Sequence, residues 1–127
     1  MSIEQVYRLQ EINARYVEAI DDGRFEEWPD FFMETCKYRI TTAENVEQGL
    51  PLSIIYATSR AMLRDRVKAL REANVYEAQR YRHVLGPPRI AEASASSVRA
   101  RSRSTNRRSP VRVRPRRRRP RRCRTAR

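Results

Sequence analysis

Cysteine and histidine are scarce in this sequence, and the shortage narrows the chemistry open to it. Its two cysteines, Cys36 and Cys123, lie far apart, without CxxC spacing and with no histidine near either one. Neither a disulfide framework nor a zinc site is indicated, and a reduced cytosolic setting follows. There is one histidine, His83. No apolar run approaches the length needed to cross a bilayer, and the opening Met1-Ser2-Ile3-Glu4-Gln5 lacks the basic and apolar regions of a signal peptide. The expectation is a soluble, cytoplasmic protein with no membrane partner.

What the chain has in excess is arginine, unevenly placed. Residues 1–90 hold 13 Lys plus Arg against 14 Asp plus Glu, a net of −1. Residues 91–127 hold 15 Arg against Glu92 alone, a net of +14, and the two parts make up the overall +13. The basic pI of about 11.1 therefore describes two unlike segments. A chain of 127 residues supports one domain with a modest core, and that core has to come from the first part.

Ser2 and Gln5 have the spacing of a capping box, and Val6, Leu9, Ile12, Tyr16 and Ile20 then recur at steps of three and four until Asp22-Gly23. This pattern predicts an amphipathic helix. Phe25, Trp28, Phe31 and Phe32 surround Pro29, which suits a short kinked helical segment whose aromatics are buried. Cys36 to Thr42 alternates as a strand with one wet face, whereas Ala43 to Leu50 is polar and reads as a loop. Residues 51–58 are β-branched and aromatic, a second strand pairing antiparallel with the first. Ser59 caps a helix from Arg60 to about Ala73 with Leu63, Val67 and Leu70 as its apolar stripe. Val75 to Leu85 alternates and ends at Gly86-Pro87-Pro88, and a further strand starts from Arg89 with Val98, Ala100 and Ser102 on one face. The order predicts an α+β fold with helices on one face of an antiparallel sheet.

After Arg103 the alternation is lost. Residues 104–127 contain 12 Arg and three Pro, with no acid, Lys, aromatic, Leu or Ile, so they cannot bury enough apolar surface to offset the entropy of ordering. The expectation is a domain over 1–103 and a disordered tail over 104–127. Such a tail attracts polyanions, since each arginine that neutralises a phosphate releases a counterion. It lacks aromatics for base stacking and any RGG or regular RS repeat, so nucleic acid binding through it would be non-specific.

Several blocks resemble a known family. Phe25-Glu26-Glu27-Trp28-Pro29-Asp30-Phe31-Phe32 followed by Cys36-Lys37-Tyr38-Arg39-Ile40 is similar to the opening of the beta (small) subunits of aromatic-ring-hydroxylating dioxygenases. The likeness continues through Gly49-Leu50-Pro51-Leu52 and Ile54-Ile55-Tyr56. Its most specific blocks are Met62-Leu63-x-Asp65-Arg66, Ala69-Leu70-Arg71-Glu72-Ala73-Asn74 and Tyr81-Arg82-His83. They keep family order over about residues 3–90, with the flavour of terephthalate and salicylate hydroxylase small subunits.

The resemblance implies an NTF2-like (SnoaL-like, cystatin-like) cone, with N-terminal helices packed on a curved antiparallel sheet. It implies a non-catalytic structural subunit of an oxidoreductase acting in aromatic acid catabolism. Beta would form a homotrimer within an alpha3beta3 assembly, and the Rieske 2Fe-2S cluster and mononuclear iron would reside in the alpha subunit, leaving no cofactor in this chain. The residues agree independently, because a Rieske cluster needs two Cys and two His and this chain has one His. The family continues with a Phe-x-Val strand, a Gly-centred hairpin and two long strands, which Arg103-Ser104-Thr105-Asn106-Arg107-Arg108 does not match. A reading-frame shift near residues 90–104 in a GC-rich gene would account for the composition, and the later strands would then be missing or replaced by the tail.

No catalytic, cofactor-binding or metal-ligating residue is assigned. On family analogy, Arg66, Arg82 and His83 are candidates for a subunit interface. NTF2-like folds also host pocket enzymes, so His83 paired with Asp30 or Tyr38 would serve a stand-alone SnoaL-like isomerase or hydratase. A third reading is a basic-tailed nucleic-acid-binding protein.

Overall fold

The computed structural model describes residues 2–73 and 79–110. Helix α1 runs Ile3–Asp21 and opens with the expected capping box, in which the Ser2 hydroxyl accepts from the Gln5 main-chain N–H and the Gln5 side chain accepts from the Ser2 N–H. Gly23 then adopts φ +73°, a left-handed turn that glycine enters without steric cost. Trp28–Phe31 forms a single 3₁₀ turn with Pro29 near its start, where a missing N–H costs nothing.

Strand β1 (Thr35–Ile40) pairs antiparallel with β2 (Ile55–Ser59), placing Tyr38 opposite Ala57 and Ile40 opposite Ile55. Between them, part of the expected loop is a short helix, α2 (Ala43–Glu47). Thr42 supplies the reason, because its hydroxyl accepts from the Asn45 N–H and caps the turn. Helix α3 spans Arg60–Ala73, and the Ser59 hydroxyl accepts from the Met62 N–H at its start. Of its predicted stripe, Leu63 and Val67 are buried while Leu70 is 42% exposed.

The core gathers Trp28, Ala57, Leu63 and Val67, with Tyr16, Ile20, Phe25, Phe32, Cys36 and Tyr38 packed around them. Edge-to-face contacts bind the aromatics together, Trp28 to Tyr38 at 5.1 Å, Trp28 to Phe32 at 5.5 Å and Phe32 to Tyr38 at 5.6 Å between ring centroids. The indole N–H of Trp28 donates to the Tyr16 hydroxyl at 2.7 Å, so the polar tip of the largest core side chain is satisfied. Two arginines of α3 fasten it from outside. Arg60 donates to the Phe32 carbonyl and pairs with Glu34 at 2.7 Å. Arg71 grips both carboxylate oxygens of Glu26, donates to the Gly23 carbonyl and lies 4.9 Å from the centroid of the Phe25 ring.

The second half differs from expectation in its pairing. The segment from Arg89 forms a hairpin, β4 (Arg89–Ala93) and β5 (Val98–Arg101), turned by Ser94 and Ser97, whose side chains and backbones bond to each other. Serine pairs close such a turn locally, which an alternation pattern does not reveal. Strand β3 (Gln79–Leu85) pairs over its full length with β6 (Ser104–Pro110). Strand β6 begins at the boundary expected between 103 and 104, and residues 104–110 of the expected tail are hydrogen-bonded partners of β3. A ladder uses main-chain groups, so it forms here without apolar side chains on the added strand. The early part of the expected strand, 75–78, and the tail from 111 lie outside the described residues. The described strands thus form three two-stranded antiparallel ladders, β1–β2, β3–β6 and β4–β5.

Candidate functional site

Asp21, the last residue of α1, and His83, in the middle of β3, form the least exposed of the ion pairs described. Their side chains are 8% and 20% exposed. The His83 main-chain N–H donates to Asp21 Oδ2 at 2.8 Å, and His83 Nδ1 lies 2.6 Å from Asp21 Oδ1. A carboxylate can only accept, so His83 Nδ1 is the donor in this contact. Tyr81 stacks beside His83 at 6.5 Å. The carboxylate thus binds both backbone and side chain of one residue, fixing β3 against the C-terminal end of α1.

Beside this clamp is a cavity of about 460 Å³ lined by Asp21, Asp22, Arg80, Tyr81, Arg82 and Arg107. Asp22 pairs with Arg24 at 3.5 Å. Arg82 is exposed and faces Arg107 directly across the β3–β6 ladder.

The other candidate residues are not brought to His83. Asp30 sits on the 3₁₀ turn, 66% exposed, 3.8 Å from Arg64 of α3. Tyr38 belongs to the aromatic core, and burial, followed by its neighbour Tyr16, pushes its hydroxyl pKa up to about 12. The pairing of His83 with Asp30 or Tyr38 is thus replaced by Asp21. Arg66 is exposed on α3, where its charge offsets part of that rise at Tyr38. Arg66 lies on α3, and Arg82 and His83 lie on β3. Glu26 is held down to about 2, chiefly by its bonds to Arg71.

Asp21 was the residue that pattern reading passed over, because Asp22-Gly23 marks the helix stop. A signal was present. An acid in the last turn of a helix opposes the helix dipole, and α1 has no basic residue there, so a specific partner for Asp21 is called for. Among the described residues no group of three or more His, Cys, Asp or Glu could hold a metal ion, and no helix is long and apolar enough to cross a membrane. A Rieske centre does not fit a chain with one histidine.

Residues 15–116 match the family described as ring hydroxylating beta subunit. The terminal oxygenase component subunit beta 1 of terephthalate 1,2-dioxygenase from Comamonas sp. is 44% identical over 93 residues, 73% of this chain and 60% of that protein. The anthranilate 1,2-dioxygenase small subunit of Burkholderia cepacia is 46% identical over 80 residues, 63% of this chain and 48% of that protein. The chain therefore spans 60% or less of the length of these relatives. A crystal structure described as the beta subunit of an aromatic-ring-hydroxylating dioxygenase from Novosphingobium aromaticivorans superposes with a TM-score of 0.77 at 34% identity, covering 87% of this chain and 71% of that one. The benzoate 1,2-dioxygenase beta subunit of Burkholderia mallei matches with a TM-score of 0.66 at 18% identity over 83% of this chain and 68% of that one, a likeness of fold alone.

Proposed function

Starting from the chain's membership of the ring-hydroxylating beta subunit family, we propose that it is the structural small subunit of a Rieske-type aromatic-ring-hydroxylating oxygenase, cytoplasmic and active in the breakdown of aromatic acids. It would act on no substrate by itself. The observation that carries this reading is the family match over residues 15–116 in a chain with one histidine. A large subunit would supply the Rieske cluster and the mononuclear iron, and beta would trimerise to carry three of them. Arg66, Arg82 and His83 are proposed as residues near its subunit contacts, with Asp21 holding His83 and β3 in place for them.

The stand-alone isomerase reading required His83 to work with Asp30 or Tyr38, and the geometry gives each of those residues another partner. The arginine-rich tail is proposed as an appendage to the subunit domain, with the division falling after β6 rather than before it. Sequencing codons 85–127 in all three frames tests whether its composition arises from a frame shift.

The deciding experiment is co-expression with a Rieske-type large subunit. The two should co-purify, iron should track with the large subunit, and the chain alone should show no hydroxylation. Failure to co-purify with any such subunit, or turnover by the isolated chain that is lost in His83→Ala, overturns the proposal.

A further inference from the structure

Alternate residues of a strand face opposite sides, so the register of β3 sorts its side chains cleanly. Tyr81, His83 and Leu85 share one face, and the His83–Asp21 clamp turns that face toward α1. Arg80, Arg82 and Val84 share the other. Opposite them on β6 lie Arg107, directly across from Arg82, and Thr105, across from Val84. Arg80, Arg82, Val84, Thr105 and Arg107 are all exposed.

Like charges directly opposite on neighbouring strands repel each other. Asp21 and Asp22 line the cavity with these arginines, Asp21 bonded to His83 and Asp22 3.5 Å from Arg24. Among the described residues Arg80, Arg82 and Arg107 make no ion pair. The β4–β5 hairpin repeats the arrangement with Arg89 opposite Arg101, both exposed. From residue 79 onward the chain holds 18 Arg and a single acid, Glu92, which is paired with Arg99 at 3.0 Å.

We propose that the outward face of the β3–β6 ladder, carrying Arg80, Arg82 and Arg107, is a docking strip for the sugar–phosphate backbone of double-stranded nucleic acid. Charge complementarity names the partner. Arg80 and Arg82 are two residues apart on one side of a strand, about 6.6 Å, so both side chains reach toward the same phosphate backbone. Guanidinium groups bond phosphate oxygens in pairs. The strip has no aromatic side chain for stacking on unpaired bases, which favours backbone contact over single-strand recognition. Its apolar content is Val84, so it offers no wedge of large apolar side chains to enter a lipid headgroup layer. Recognition is independent of sequence, does not rest on the subunit reading, and concerns the chain free of subunit partners, in which Arg82 is exposed.

The test is fluorescence anisotropy of the full chain with a labelled duplex of random sequence over a salt series, with phosphatidylserine vesicles as a parallel arm. The double variant Arg82→Gln with Arg107→Gln should bind the duplex several-fold more weakly. Its slope of log affinity against log salt should be shallower by about 2, one for each phosphate that is no longer neutralised. Replacing both residues with lysine keeps the charge and should keep the slope, which separates loss of charge from loss of folding. An unchanged slope in the glutamine variant overturns the proposal, as does binding to vesicles without binding to the duplex.

Discussion

Tyr38 shows what the surrounding packing does to one side chain. Its ring is clasped edge-to-face by Trp28 and Phe32, and burial makes ionisation of its hydroxyl costly, raising the pKa from 10.0 to about 12. A raised pKa in the folded chain means that the folded state keeps this proton over a range where the unfolded state releases it. The associated stability is complete below pH 10 and is lost as pH rises toward 12. In urea unfolding, the wild-type chain should therefore lose stability more steeply between pH 10 and 12 than Tyr38→Phe, which has no hydroxyl to ionise. Equal slopes for the two proteins would remove this account of Tyr38. The aromatic positions were legible in the sequence, since Phe25, Trp28, Phe31 and Phe32 crowd around one proline. The pairing of Asp21 with His83 was not, because it joins residues 62 apart and depends on how β3 is laid against α1.

Among the elements, those with strong periodicity were readable from sequence. Helices α1 and α3 fall where the three-and-four spacing and the Ser2 and Ser59 caps place them. Strand β6 was not readable, because Ser104–Pro110 has no apolar alternation and takes its conformation from the exposed main chain of β3. That dependence runs both ways, since β6 is the described partner of β3 along all seven of its residues. A chain cut after Arg103 leaves β3 with unpaired N–H and C=O groups, whereas a chain cut after Pro110 keeps the ladder. Amide hydrogen exchange should show residues 79–85 protected in the longer fragment and exchanging rapidly in the shorter one. Equal protection in both would mean that β3 is held by α1 through the Asp21 clamp and not by β6.

At the scale of the whole molecule, the fully packed interior is small relative to the apolar surface left outside. Among the described residues Leu63 and then Pro29 are the largest side chains buried outright, while Ile3, Met33, Leu52, Ile54 and Val84 are all more than 60% exposed. Leu52 and Ile54, just before β2, and Tyr56 within it are exposed together at the start of that strand. A monomer in water bears such a surface at the risk of association, and the strand edges outside the three ladders add to it. In a subunit of an assembly the same surface is the part that partners cover. The isolated chain is therefore expected to aggregate at modest concentration and to unfold on heating without a sharp transition. Co-expression with a Rieske-type large subunit should bring it into the soluble fraction. Light scattering and scanning calorimetry on the purified chain decide the matter. A soluble monomer or trimer that melts in one sharp cooperative step would mean that the small core suffices and that the apolar face needs no partner.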